Sequence, residues 1–131
     1  MQQKITNPWT WQDRAGFSQA IETTGVQQVL YCAGQASISD DGKALHPDNM
    51  EAQILQCLDN LETVLKAAGY SLSNVVRLNY YTTDVDKFLS ANRSAIARLQ
   101  QANCRPASTL LGVERLAYPA LMIEIEATAV K

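Results

Sequence analysis

Two carboxylates near the end of the chain are the side chains best suited to chemistry. Glu124 and Glu126 alternate with apolar residues, so in a strand both would point to the same face. A carboxylate held in a cleft can place a water molecule against an electrophilic carbon and accept its proton. Alternatively, both residues are the solvent side of a half-buried antiparallel strand, and spacing alone leaves the two interpretations open.

Two hydroxyl residues and two arginines are candidate ligand contacts. Ser108 and Thr109 are adjacent and suit a neutral carbonyl, amide or hydroxyl-bearing ligand, although such hydroxyls equally well satisfy backbone groups at a strand end. Arg14 and Arg77 are possible cations for an anionic substrate group. As the alternative, both arginines are solvated surface residues.

The sequence gives little support for a metal site, a nucleotide-binding site or a catalytic triad. His46 is the only histidine and stands in a loop-like segment, and Cys32, Cys57 and Cys104 have no CxxC spacing, so neither a zinc site nor a catalytic triad is indicated. Glycine-rich phosphate-binding patterns are absent. We therefore predict no metal, no cofactor and free thiols in a reducing cytosol, with Cys104 as a candidate redox-sensitive thiol.

Composition narrows the class of protein. The 131 residues match the size of one domain, and we treat residues 1–131 as a single domain. A content of 47% hydrophobic and 18% charged residues is that of a globular protein. The formal net charge of −2 and the lack of a Lys/Arg-rich stretch disfavour nucleic acid as a partner. Without a transmembrane run or an apolar N-terminal signal, we expect a cytoplasmic protein with no membrane partner.

Periodicity predicts the elements that carry these residues. Residues 17–24 and 27–33 flank Gly25-Val26 and are predicted to pair as a hairpin. A long amphipathic helix then begins at Asp48 or Asn49 and ends at Gly69. The remaining prediction is a strand over residues 75–83, a second helix from Asp84 to near Asn103, and strands over residues 109–114 and 121–130.

The order ββαβαβ predicts an α+β domain in which both helices cover one face of a single sheet. On the last strand, Leu121, Ile123 and Ile125 would face the helices, whereas Glu124 and Glu126 would face away. Tyr31 or Tyr81 would add an aromatic ring to that uncovered face, which is unusual for a face that contacts only solvent. A partner subunit could cover it.

The whole chain resembles the RidA (YjgF, Rid) family over about residues 15–130. The resemblance is carried by the order and spacing of six segments, which are residues 17–21 (FSQAI), 33–35 (AGQ), 56–61 (QCLDNL), 65–69 (LKAAG), 105–109 (RPAST) and 123–127 (IEIEA). It implies a chorismate-mutase-like fold assembled as a homotrimer, with ligand clefts at the subunit interfaces. It also implies a deaminase-type hydrolysis of enamines and imines that needs no cofactor.

Three residues carry over from the family pattern by position. Glu124 matches the glutamate that positions water, Gly34 the glycine of a strand lining the cleft, and Asn92 an asparagine near the site. Two positions depart from the pattern: Ser108 replaces the carboxylate-binding arginine of the deaminase branch, and Phe17 replaces a tyrosine.

The departures leave two functions open. The first is a RidA-like hydrolase of enamines, imines or related carbonyl-derived metabolites, with Glu124 as the catalytic residue. Its substrate-binding residues would be Phe17, Gly34, Asn92, Ser108 and Thr109. The second is a non-catalytic trimer that binds a small metabolite or a partner protein, because hydrolysis of a small anionic imino acid is doubtful without the arginine.

Overall fold

Seven strands and three α-helices make up the computed structural model, which describes all 131 residues. The strands are β1 (Gln2–Thr6), β2 (Ala20–Thr24), β3 (Val29–Tyr31), β4 (Gln35–Ala36), β5 (Val75–Thr82), β6 (Ala107–Gly112) and β7 (Ile123–Val130). The helices are α1 (Met50–Ala67), α2 (Val85–Ala91) and α3 (Arg93–Gln101), with 3₁₀ turns at Trp11–Ala15 and Leu72–Asn74. The predicted α+β class is confirmed. None of the helices has the length and apolar character that a membrane crossing requires.

Strand β7 organises the main sheet. It pairs antiparallel with β3, β4 and β5, and β5 pairs in parallel with β6 at the edge. A parallel pair needs a crossover connection, which α2 and α3 provide here. The strand therefore has neighbours along both edges, and its side chains occupy the middle of both sheet faces.

The core lies between β7 and α1. The apolar stripe predicted for α1 is buried at Met50, Ile54, Leu58, Leu61 and Leu65. These residues pack against the alternate positions of β7, which are Ile123, Ile125, Ala127 and Ala129. Both predicted faces are thus confirmed.

The ends of α1 also follow the sequence signals. The Asn49 side chain accepts a hydrogen bond from the Ala52 N–H and caps the first turn. Beyond the last turn, Gly69 has a φ of 83°, which a residue with a Cβ rarely adopts. The helix is therefore fixed at both ends above β7.

The predicted second helix is in fact two helices. Asp84 caps α2 as expected by accepting from the Lys87 N–H. At Asn92, however, the backbone leaves helical geometry with a ψ of 5° before α3 begins. Asparagine is a weak helix former because its side chain competes for backbone hydrogen bonds.

The predicted hairpin between residues 17–24 and 27–33 is wrong. Strand β2 pairs with β1, which the sequence analysis did not identify, and β3 pairs with β7. The Gln27 and Gln28 N–H groups donate to the Lys131 carbonyl just after β7. Residues 27–33 therefore pair with the end of β7 and not with residues 17–24. The first segment instead forms a separate two-stranded ribbon with β1.

In the sequence of β5, Val76, Leu78 and Tyr80 alternate with polar residues and predict one buried face, but a β-bulge modifies this pattern. The register against β7 shifts between Val75 and Arg77, so Val75 enters the core in place of Val76. From Arg77 onward the alternation holds: Leu78 is buried, and Arg77 is exposed on the other face.

Candidate functional site

The residues predicted from the sequence to form one site lie on opposite faces of the main sheet. Glu124, Gly34, Thr109 and Arg77 belong to the face without helices, which we call the open face. Phe17, Asn92 and Ser108 instead line a pocket on the helix side, which we call the helix-side pocket. Arg14 lies in the exposed 3₁₀ turn and lines neither.

On the open face, Glu124 and Gly34 are in close contact. Strand β4 places Ala36 opposite Glu124, and Gly34 lies just before β4. A Cβ atom added at Gly34 would lie 2.7 Å from the Glu124 Cδ and 2.9 Å from its Cγ, closer than real contacts allow. The structure thus brings these two predicted residues together, and only glycine leaves room for the carboxylate in this position.

Beside Glu124, the open face carries a hydrogen-bonded polar network. Tyr81 Oη and Asn79 Nδ2 both donate to Glu126 Oε1, at 2.6 and 3.0 Å. The Asn79 Oδ1 atom is buried and has no hydrogen-bond partner, which is uncommon in folded proteins. The alternation of β5 is enough to place Asn79 on this face, but nothing in the sequence pointed to its contact with Glu126.

This network shifts the pKa values of Glu126 and Tyr81. The hydrogen bonds from Tyr81 and Asn79 hold the pKa of Glu126 below its usual value, and the nearby Arg77 charge adds to this. The same contact raises the pKa of Tyr81, because ionising its hydroxyl would remove the donor and place two anions together. Glu126 is therefore a structural anion, whereas Glu124 has no such partner.

The helix-side pocket lies between β5, β6 and the two helices of the crossover. It has a volume of about 220 Å³, and nine of its 13 lining residues are hydrophobic. Phe17, Asn92 and Ser108 all line it, so the structure brings these three predicted residues together. Its lining contains no charged side chain.

Ser108 and Thr109 do not act as the hydroxyl pair that their adjacency suggested. Successive residues of a strand point to opposite faces, so Ser108 lines the helix-side pocket while Thr109 accepts a hydrogen bond from Arg77 Nη2 at 2.8 Å on the open face. The expectation of one combined hydroxyl site is corrected. Arg77 is engaged with Thr109, away from the helix-side pocket.

Arg105 anchors the N-terminal wall of the helix-side pocket. Its side chain pairs with Asp13 and donates to the Phe17 carbonyl at 3.2 Å. Ser18 Oγ donates in turn to the Arg105 carbonyl at 2.6 Å. These contacts join the segment around Phe17 to the start of β6, and they were not foreseen from the sequence.

The cysteines and the histidine are not placed for catalysis. All three cysteines are buried free thiols, and burial raises the pKa of Cys57 and of Cys104 to about 12. Since the thiolate is the reactive form, burial disfavours a redox role for Cys104. His46 is exposed in a loop, as predicted, and no cluster of potential metal ligands is found.

The close contact between Gly34 and Glu124 predicts an energetic coupling. Gly34→Ala should lower the free energy of unfolding, because the new methyl group displaces the carboxylate. In a Glu124→Ala background the same change should cost little. A double-mutant cycle by urea denaturation should give a coupling of about 0.5–3 kcal/mol, and an additive cycle would contradict the contact.

The Glu126 network predicts a pH-dependent stability. A carboxyl whose pKa is lower in the folded state stabilises the protein above its unfolded pKa and loses that contribution as the pH falls through the folded pKa. Tyr81→Phe should therefore lower the Tm clearly at pH 6 and less at pH 3, measured at equal protein concentration. Tyr118→Phe is the matched control because Tyr118 is 45% exposed and lies outside the network. An equal loss at both pH values would contradict the assignment.

Comparison with known proteins identifies the relatives of this chain. The family model described as Endoribonuclease L-PSP matches residues 10–131. A RutC family protein of Aquifex aeolicus is 32% identical over 116 residues, covering 88% of each chain. A Mus musculus protein named 2-iminobutanoate/2-iminopropanoate deaminase is 30% identical over 115 residues, covering 88% of this chain and 81% of its own.

The fold has a close counterpart among solved structures. YyfB of Yersinia pestis, described as a protein of unknown function of the conserved Rid family, superposes with a TM-score of 0.89 and 34% identity over the full length of both chains. The order and spacing of motifs, the topology and these relatives agree. The chain belongs to the Endoribonuclease L-PSP family, the group known as YjgF or RidA.

Proposed function

We propose that this protein is a Rid-type hydrolase that converts an enamine, imine or related carbonyl-derived metabolite to a carbonyl compound and ammonia. The observation that carries the proposal is the Glu124 carboxylate, held against Gly34 on the open face and free of the network that occupies Glu126. The printed name of the mouse relative, a 2-imino acid deaminase, supports the same class of reaction.

The chemistry requires one activated water. An enamine first tautomerises to the imine, and water then attacks the imine carbon while the Glu124 carboxylate accepts its proton. The C=N double bond becomes a C–N single bond in a carbinolamine. Return of that proton to nitrogen completes the neutral carbinolamine. Glu124 then takes the proton of the new hydroxyl group and passes it to nitrogen, so that the C–N bond breaks, ammonia leaves and a carbonyl group remains. A half-buried carboxylate suits this task because it can hold the water and still exchange protons with solvent.

The proposed site is shared between subunits of a homotrimer. In one chain the water-placing residue lies on the open face, whereas the helix-side pocket lies behind the sheet. One feature of the open face supports coverage by another subunit, namely the Tyr31 ring, which is 79% exposed in a single chain. A neighbouring copy would bring its own helix-side pocket up to Glu124 and exclude bulk water.

A second candidate is a non-catalytic trimer that binds a small metabolite. It is favoured by the residues of the helix-side pocket, where Ser108 and Phe17 stand at positions that the resemblance assigns to an arginine and a tyrosine. Such a protein would bind its ligand without turning it over. The endoribonuclease activity in the name of the family model has less support, because a net charge of −2 gives no electrostatic attraction for RNA.

Ammonia release from freshly generated imines tests the proposal. The substrate panel should contain 2-aminoacrylate and larger, uncharged imines. Glu124→Gln should lower kcat by about 10²–10⁴-fold, the usual contribution of a positioned general base. KM should change little, because the side chain keeps its size.

Glu22→Gln is the matched control for that assay. Glu22 is an exposed carboxylate of the N-terminal ribbon, so its substitution should leave kcat unchanged. Turnover that survives in Glu124→Gln at the wild-type rate would refute the catalytic assignment. Binding of the panel without any turnover would establish the non-catalytic candidate instead.

A further inference from the structure

We propose that the helix-side pocket selects an uncharged ligand that carries one carbonyl or imine group beside an aryl or branched alkyl group. The inference rests on the proposed function, since it names the substrate class of that site. It follows from the volume of the pocket, the chemistry of its lining and the contacts that engage Arg105.

The volume sets the size of the ligand. An apolar cavity of about 150 Å³ holds a benzene molecule, so a volume of about 220 Å³ accommodates a ring with a short polar substituent. The aromatic rings of Phe17 and Phe88 and the side chains of Leu89 and Ile96 line this space. These walls favour an aryl or branched alkyl group over a compact polar metabolite.

The polar groups of the lining set the charge of the ligand. Asn92 and Ser108 offer a neutral amide and a hydroxyl, and the Asn92 side chain makes no capping hydrogen bond to α3. Together they can donate to and accept from a carbonyl, amide or imine group. A carboxylate would lose its hydration without meeting a cation, which is costly.

Tyr80, a titratable residue of the pocket lining, does not add a charge to the pocket. Tyr80 lines the wall beside Phe88, with ring centroids 5.5 Å apart. Burial raises the pKa of Tyr80, and the neighbouring Cys104 thiol adds to this. The phenol therefore remains neutral at physiological pH, and the pocket presents no net charge to a ligand.

Arg105 comes directly before Pro106 of the pocket lining, but its side chain is engaged elsewhere. It pairs with Asp13 and donates to the Phe17 carbonyl, which fixes the pocket wall instead of offering a cation to the ligand. The 3₁₀ turn that it secures leads directly into Ala15, Gly16 and Phe17 of the lining. Trp11 adds an edge-to-face contact with Phe17 at a centroid distance of 5.9 Å, so this segment closes one end of the pocket.

Two probes of equal shape and different charge test the proposal directly. Phenylacetamide and phenylacetate differ in the amide and carboxylate alone, and both fit the size argument. In titrations at pH 7.5 followed by ¹⁵N NMR, the wild-type protein should bind phenylacetamide at least about tenfold more tightly. The amide resonances of Asn92 and Ser108 should shift more than that of Thr109 on the open face.

Ser108→Arg should reverse this preference, because it adds a cation to the lining, and Ser108→Ala should keep the preference for the neutral probe. Equal or tighter binding of phenylacetate by the wild-type protein would overturn the proposal, and so would failure of both probes to bind at about 10 mM. The wild-type comparison decides the matter even if a variant fails to fold.

The titration and the imine assay, both on the wild-type protein, separate this inference from the proposed function. Selective binding of phenylacetamide without imine turnover in the wild-type protein would leave the pocket assignment intact and refute the hydrolase. Imine turnover without selective binding would do the reverse.

Discussion

The two-residue period of β7 is the constraint on which the rest of the structure depends. Its buried positions, Ile123, Ile125 and Ala127, complete the core beneath α1, so the register of the strand cannot slip without exposing them. The intervening positions are thereby fixed on the open face. Glu124 is presented to Gly34, and Glu126 to its two donors, because the core holds the strand between them.

Residues that are adjacent in sequence have different roles on the two faces of the sheet. Ser108 and Thr109 are adjacent in sequence but serve opposite faces, one in an uncharged pocket and the other under Arg77. Two arginines that could have bound an anion are held by other partners, Arg77 by Thr109 and Arg105 by Asp13. The helix-side pocket is thus left without a charged side chain, while Glu124 remains free of the network on the open face.

Sequence periodicity correctly predicted the elements that have a clear apolar face. It failed for strands whose pairing is determined by contacts with residues far away in the sequence. The sequence was sufficient to predict the apolar stripe of α1, a cap at Asp48 or Asn49, and the alternation of β7. The pairing of β2 with β1 was not, because it depends on competition with the carboxyl end of β7 for residues 27–28. The resemblance pointed to Glu124 and Gly34, which are in contact, and to the positions of Phe17 and Asn92, which line one pocket. The sequence could not show that the sheet separates these two pairs.

The claim that one working site needs two copies of the chain is tested most directly by mixing variants. In Ser108→Trp the indole would fill the helix-side pocket. If the chain assembles as the proposed trimer, coexpression of this variant with Glu124→Gln creates some interfaces that combine an intact carboxylate with an intact pocket. The account predicts that each variant alone is inactive and that the mixture recovers about a quarter of wild-type imine hydrolysis, as random assembly into a closed ring requires. A mixture no more active than its separate components would contradict it.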